Sequence, residues 1–268
     1  MNELLYAIIF ISGAVFGSFY TLAVYRIPKN IDIVKKHSYC PNCNHKLGVF
    51  DLIPILSYIF LGGKCRYCKQ KIRPRYLIIE LLSGIIFVLI ATTLKINVYT
   101  LDLQKSISFI FMILYFTALI LISVIDREYK SINKKVLAYG VIISLMYMIY
   151  LYIIEPTSIY RYAIYLAVYI ILISTDTFLL RRYAEENYAI SLAIFFTMIV
   201  MFVDYKISFY ILVLFVIEII LHILIRSITK RKNGNKPIKL EEFPLGFYLG
   251  MSNVIILITL DVINLFIQ

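Results

Sequence analysis

Long apolar stretches dominate this chain and leave it few ways to fold. Eight runs, near residues 4–24, 76–94, 106–125, 136–154, 161–180, 188–203, 208–226 and 245–266, are each composed almost wholly of Leu, Ile, Val, Phe, Ala, Met and Tyr. About 17 to 25 apolar residues are needed to cross a bilayer as a helix, and lipid tolerates spanning backbone only as helices or closed barrels. With 61% hydrophobic residues, a mean hydropathy of +0.85 and no tryptophan in 268 residues, the chain does not read as a soluble globule around one core. The expected fold class is therefore an all-α polytopic membrane protein of about eight transmembrane helices. The sixth run is the shortest. Met1 to Tyr25 lacks a basic leading segment and a small-residue cleavage site, so it reads as the first span rather than a signal peptide.

The net charge of +11 gains meaning when it is placed on the loops. Of the 27 Lys and Arg residues, all but Lys95, Lys105, Arg161 and Lys206 fall on one face, in the loops at 25–75, 126–135, 181–187 and 227–244 with Arg226 at the edge. Positive residues mark the cytoplasmic side, so these loops are expected inside and both termini outside. The same asymmetry, with attraction to anionic lipid, accounts for the basic face without nucleic acid. The expected division is a first span at 1–25, a cytoplasmic loop domain at 26–75, and a membrane core at 76–268 with a charged linker at 227–244. Tyrosines cluster at span ends, as at Tyr147, Tyr150 and Tyr152, where an aromatic belt places them.

The only four cysteines form two CxxC pairs in the first basic loop, Cys40/Cys43 and Cys65/Cys68. Each pair can offer two thiolates to one tetrahedral ion, and the intervening residues allow the pairs to converge as in a zinc ribbon. The rival arrangement is two disulfides, which needs an oxidising compartment; a cytoplasmic loop favours zinc. His37 and His45 are alternative ligands, but four cysteines already complete a closed structural site. Gly62 and Gly63 precede the second pair at a tight turn, and Lys64, Arg66 and Lys69 offset thiolate charge. Such a site folds a loop of about 50 residues too small to hold itself together.

Several polar residues lie within the apolar runs. Glu218, His222 and Arg226 repeat at four-residue spacing and share a face; a stripe turned into the bundle is the plain reading and a proton relay the functional one. Gly13, Gly17 and Ser18 form a small-residue face suited to close helix packing. Glu80 stands one turn inside the second span, with Arg75 as an available salt partner.

Three ordered motifs identify a resemblance. Gly17-Ser18-Phe19 through Tyr25-Arg26-Ile27-Pro28 closes the first span, Asp51-Leu52-Ile53-Pro54 lies between the CxxC pairs, and Arg73-Pro74-Arg75-Tyr76 through Glu80 to Gly84 opens the second span. Together they resemble the amino-terminal region of bacterial prepilin peptidases, and Phe243-Pro244-Leu245-Gly246 resembles that family's segment before its last helix. The resemblance implies a membrane aspartyl endopeptidase that removes leader peptides from type IV prepilins or pseudopilins. It also implies N-methylation of the new terminus with S-adenosylmethionine as donor, and places Glu80 in the stretch tied to that step, as a group that orients a substrate amine if it is not simply the salt partner of Arg75. No glycine-rich nucleotide loop supports methylation separately.

Such an enzyme uses two carboxylates, one ionised to activate water and one protonated to polarise the scissile carbonyl. Asp126, in Ser123-Val124-Ile125-Asp126-Arg127, matches the first in position and context, with Asn133 where the family usually has proline. The second normally sits in a Gly-x-Gly-Asp motif, which this chain lacks. Asp176, about one turn inside the fifth span on the same side as Asp126, is the candidate; its alternative is a carboxylate anchored by Arg181 or neighbouring polar groups. Asp204 falls in an outer turn, and alignment by helix order places the missing residue among Glu185, Glu186, Asn187 and Ser191. The alternative reading is a degenerate, non-catalytic relative in pilus assembly. A transporter using Glu218, His222 and Asp176 is the third, and no internal repeat supports it.

Overall fold

The computed structural model describes the chain except residues 34–36, 100–101, 155–158, 184–186, 204, 234–242 and 268; the side chains of 159, 161, 181–183, 229–233 and 261–267 are also outside the described set. The described residues form helices α1 Asn2–Arg26, α2 Leu56–Phe60, α3 Arg75–Thr93, α4 Leu103–Tyr129, α5 Lys134–Ile154, α6 Ile159–Tyr183, α7 Tyr188–Val203, α8 Tyr205–Asn233 and α9 Leu245–Ile267. Among them the only extended pairing is two isolated bridges in the cysteine loop. Each of the eight apolar runs is thus a helix. Among the described residues six are long and apolar enough to cross a membrane, and Tyr188–Val203 and the described part of α9, Leu245–Leu260, are shorter apolar stretches. The all-helical expectation holds; α7, at 16 residues, is the one of these eight helices shorter than a full span, and α9 runs 23 residues.

The chain packs as two compact units, Met1–Ile113 with Ile263–Gln268, and Leu114–Val262. The first is built on α1 against α3, and its small residues explain the closeness of that pair. A β-carbon placed on Gly13 would lie 2.7 Å from the Ser83 carbonyl, and one on Gly17 would lie 2.7 Å from the Glu80 Cα. Only hydrogen fits between these backbones, so van der Waals contact replaces the hydrophobic drive that lipid cannot supply. The small-residue face expected at Gly13 and Gly17 does this packing. Phe16 and Phe87 close one flank, their ring centroids 5.6 Å apart.

In the second unit the short α7 packs on α5, α6 and α8. Its Phe195, Met198 and Ile199 are fully buried. The Phe202 ring stacks on Tyr115 at 3.8 Å between centroids and on Tyr147 at 4.3 Å. A helix that is apolar all round and enclosed by neighbours need not match the bilayer in length. By contrast α6 and α8 leave many large apolar side chains uncovered by protein, among them Ile170, Ile171, Leu221 and Ile225, as helices facing lipid do.

Candidate metal centre and candidate active site

The two CxxC segments fold into matching turns. In the first, the Cys40 N–H donates to the His45 carbonyl at 3.0 Å and the Asn44 N–H to the Cys40 carbonyl at 2.8 Å, with Tyr39 bridging Lys46. In the second, the Cys65 N–H donates to the Gln70 carbonyl at 2.9 Å and the Lys69 N–H to the Cys65 carbonyl at 3.0 Å, with Lys64 bridging Lys71. Each turn reverses on a left-handed residue just after its second cysteine, Asn44 at φ 56° and Lys69 at φ 59°. Asn adopts that region readily; lysine does so at a cost the turn must offset.

These turns bring all four Sγ atoms within 4.8 Å of one another, with Cys40 and Cys68 at 3.8 Å. Tetrahedral zinc with Zn–S bonds of about 2.3 Å requires sulfurs about 3.8 Å apart, so the donor set fits that ion. The cysteines are free thiols. The Gln70 amide, helped by the Asn42 side chain, pulls the Cys68 thiol down to about 6. At Cys43 the His45 amide also lowers the value, yet burial and the neighbouring Cys40 and Cys68 sulfurs leave it pushed up to about 11. Four thiolates held this close repel one another, and a dication relieves that repulsion. His45 stacks on Tyr67 at 3.6 Å between centroids, and the four-cysteine cluster forms without it. Asp51 of the intervening motif accepts from Arg66 Nε at 2.6 Å and from the Gly48 N–H at 3.1 Å, tying that motif to the second CxxC turn.

The same unit contains a cavity of about 550 Å³ between the cysteine loop and the adjoining ends of α1 and α3. Tyr25, Arg26, Tyr58, Arg75, Tyr76 and Glu80 are among its lining residues. Glu80 is buried, and its Oε2 accepts the Ile55 N–H at 2.7 Å; Ser18 also bonds its carboxyl. Ile55 has φ 65° and ψ −56°, and the Leu56 N–H reaches back to the Pro54 carbonyl at 2.6 Å. This is a γ-turn of the rare, strained form, on a β-branched residue. The hydrogen bond to a buried carboxylate helps hold it.

In the second unit, Asp126 lies in the last turn of α4 and is fully buried. Its Oδ2 accepts the Tyr188 O–H at 3.0 Å and the Phe247 N–H at 3.1 Å. The Gly246 N–H donates to the same Tyr188 oxygen at 3.1 Å. Both amides belong to the first turn of α9, where N–H groups lack helical partners and the helix dipole favours negative charge. A β-carbon on Gly246 would lie 3.1 Å from Asp126 Oδ2, so this glycine lets the helix start approach the carboxylate. Asp126 Oδ1 is buried with no hydrogen-bond partner. Arg127 lies over the Phe247 ring at 4.7 Å. Burial pulls the nearby Lys130 ammonium below the ordinary lysine range, with the Asp126 charge opposing that shift.

Asp176, in α6, takes a different partner: Lys134 Nζ at the start of α5 donates to its Oδ2 at 2.8 Å. Since α5 begins shortly after α4 ends, Asp176 lies at the same end of this unit as Asp126. Its Oδ1 is buried without a partner, and no hydrogen bond joins the two carboxylates. Arg181, the anchor weighed for Asp176, has a side chain outside the described residues, as do Glu185, Glu186 and Asp204. Asn187 caps α7, its Oδ1 accepting the Ala189 N–H at 3.1 Å, and Asn133 caps α5, accepting the Lys135 N–H at 3.1 Å. A capping Asn and a proline at the first helical position both start a helix well, which explains Asn133 where proline was expected.

The α8 stripe faces the start of α9. Glu218 Oε2 accepts the Ser252 hydroxyl at 3.2 Å, His222 Nδ1 bonds the Tyr248 hydroxyl, and Arg226 lies over Phe243 at 5.7 Å. The residues missed in the sequence are Tyr188 and the Gly246 and Phe247 amides. Their signal was present in the proline and glycine that open α9 and in Tyr188 directly after a capping Asn.

Residues 11–94 match the family model described as Bacterial Peptidase A24 N-terminal domain. Among curated proteins, the chain is 36% identical over 138 residues to a prepilin leader peptidase/N-methyltransferase of Vibrio cholerae, covering 48% of this chain and 50% of that one. It is 34% identical over 133 residues to the protein of that name in Bacillus subtilis, covering 50% of each, and 39% identical over 87 residues to one in Klebsiella pneumoniae, covering 30% of this chain and 38% of the other. The resemblance to prepilin peptidases is thereby borne out. The chain spans about half the length of the first of these relatives. No solved structure matches it.

Proposed function

We propose that this protein is a membrane aspartyl endopeptidase that removes leader peptides from type IV prepilins or pseudopilins at the cytoplasmic face of the cell membrane. The observation that carries this reading is Asp126, a fully buried carboxylate with one oxygen held by Tyr188 and the Phe247 amide of α9 and the other bare. A carboxylate fixed through one oxygen presents the second in a defined direction, as a general base for water requires. Asp176, at the same end of the unit, is the proposed second carboxylate. The ionised carboxylate takes a proton from water as the water oxygen attacks the scissile carbonyl, the protonated one donates a hydrogen bond to the carbonyl oxygen, and the proton taken up passes to the leaving amine as the C–N bond breaks. The substrate's apolar helix would lie against the bundle, leaving its leader at this face. The loop at 26–75 would be folded on a structural zinc held by Cys40, Cys43, Cys65 and Cys68.

The relatives' names also support N-methyl transfer. The cavity beside Glu80 is of a size that takes a small-molecule cofactor. Its tyrosine rings and buried carboxylate are groups that attract a sulfonium such as that of S-adenosylmethionine. When bound, that cofactor would supply the methyl group, and Glu80 would hold or orient the acceptor amine.

A second reading is favoured by specific contacts. A tyrosine phenol bonds Asp126 from the start of α7, where helix order places the missing aspartate, while Lys134 engages Asp176. These are the contacts of a non-catalytic relative that retains the fold. Cleavage of a prepilin by the full chain in vesicles separates the readings. Asp126→Asn and Asp176→Asn should each abolish cleavage with expression unchanged. Normal cleavage by Asp176→Asn would remove it from the dyad, and an inactive parent chain would select the second reading.

A further inference from the structure

Between the two CxxC turns, the chain presents its largest apolar side chains away from the protein. Val49, Phe50 and Phe60 are 80%, 77% and 83% exposed, and Leu56 and Ile59 are also exposed. The 3-10 turn Val49–Asp51 packs on α2, so these residues belong to one patch rather than to scattered positions. Contiguous apolar patches of this kind need an occupant.

The structure indicates what that occupant is, through the depth at which the patch is held. Glu80, which bonds the Ile55 amide immediately before α2, is five residues inside the start of α3. At 1.5 Å per residue that is about 7.5 Å along the span. The inward side of α2, through Ser57, Tyr58 and Leu61, lines the cavity with Ser18, eight residues or about 12 Å inside the end of α1. The headgroup layer is only about 5 to 8 Å thick on each side of the hydrocarbon. A segment tied this far along two spans cannot stand clear of the bilayer surface. On α3 itself, Ile78 and Leu82, either side of Glu80, are exposed apolar positions of the kind that face lipid.

We propose that residues 49–60 form an interfacial anchor, inserting Phe50, Ile59 and Phe60 into the acyl boundary of the leaflet from which the cysteine loop emerges. The basic residues of the two CxxC turns would stay at the headgroups beside it, as in amphipathic interfacial segments. The strained γ-turn at Ile55 then has a purpose: it turns the apolar face of α2 outward while its backbone is held by Glu80. The anchor would fix the height of the cysteine loop above the membrane.

The absence of tryptophan makes the test direct. Phe60→Trp, Phe50→Trp and, as a reference on the second CxxC turn, Tyr67→Trp would be made in the full chain. Each would be reconstituted into phosphatidylcholine–phosphatidylglycerol vesicles with and without brominated acyl chains. Phe60→Trp and Phe50→Trp should emit to the blue of Tyr67→Trp, lose most of their fluorescence to brominated lipid, and resist iodide. Iodide quenching without bromolipid quenching would overturn the proposal. Protection from both quenchers would also overturn it, in favour of a protein occupant. Parallel measurement in detergent, with intact metal content, would show that each variant is folded.

Discussion

At the level of single residues, Asp126 rests on a tyrosine and on the start of a helix. Tyr188→Phe deletes one hydrogen bond to Asp126 Oδ2 and leaves the Phe247 amide as its remaining donor, while the Gly246 N–H loses its acceptor. A hydrogen bond to a charged group contributes about 1.5–3 kcal/mol, so the variant should lose about that much stability in detergent unfolding. Tyr188→Phe with unchanged stability would mean that solvent replaces the phenol. Asp126 itself was legible in the sequence as an aspartate ending an apolar run in a recognisable context. Tyr188 was not, because a tyrosine in a tyrosine-rich membrane protein reads as part of an aromatic belt. Asp176 was legible as a carboxylate inside an apolar run, but its ion pair with Lys134 depends on how α5 meets α6, which linear spacing does not encode.

Helices were the most readable level of this chain. Each apolar run became a helix, of 16 residues in α7 and 29 in α8, where the helix continues past the run into its charged end, because sustained hydrophobicity specifies a helix wherever lipid or protein surrounds it. The small-residue face of α1 was readable for the same reason, since glycines four apart share one side. Gly17→Val should therefore force α1 from α3, a β-carbon there lying 2.7 Å from the Glu80 Cα. Overpacking costs about 1–3 kcal/mol or more, and a cysteine pair engineered across the α1–α3 contact should cross-link more slowly in this variant. Unaltered cross-linking would show that the helices absorb the side chain. The γ-turn at Ile55 and the outward α2 face stayed hidden, because no local preference places isoleucine at φ 65°. That geometry depends on Glu80, 25 residues away.

Across the whole molecule, order in the cysteine loop has a different origin from order in the helices. Among its described residues the loop has two isolated bridges, two short helical turns and a few cross-connections such as Arg66 to Asp51, and its Val49, Phe50, Ile59 and Phe60 side chains are exposed. A segment of this size without a core depends on its cross-links. If zinc supplies them, its binding free energy is folding free energy for the loop, whereas α4 to α9 are held by packing that a chelator does not touch. Stripping the metal from vesicle-embedded protein should therefore make residues 38–72 sensitive to protease while fragments within Leu114–Val262 stay protected. Zinc, added back, should restore resistance. Cys40→Ser with Cys43→Ser should copy the stripped state and carry less zinc than the parent. Equal zinc in both proteins would reject the four-cysteine site, and protease resistance that survives complete metal removal would assign the order of the loop to Glu80 and Arg66 instead.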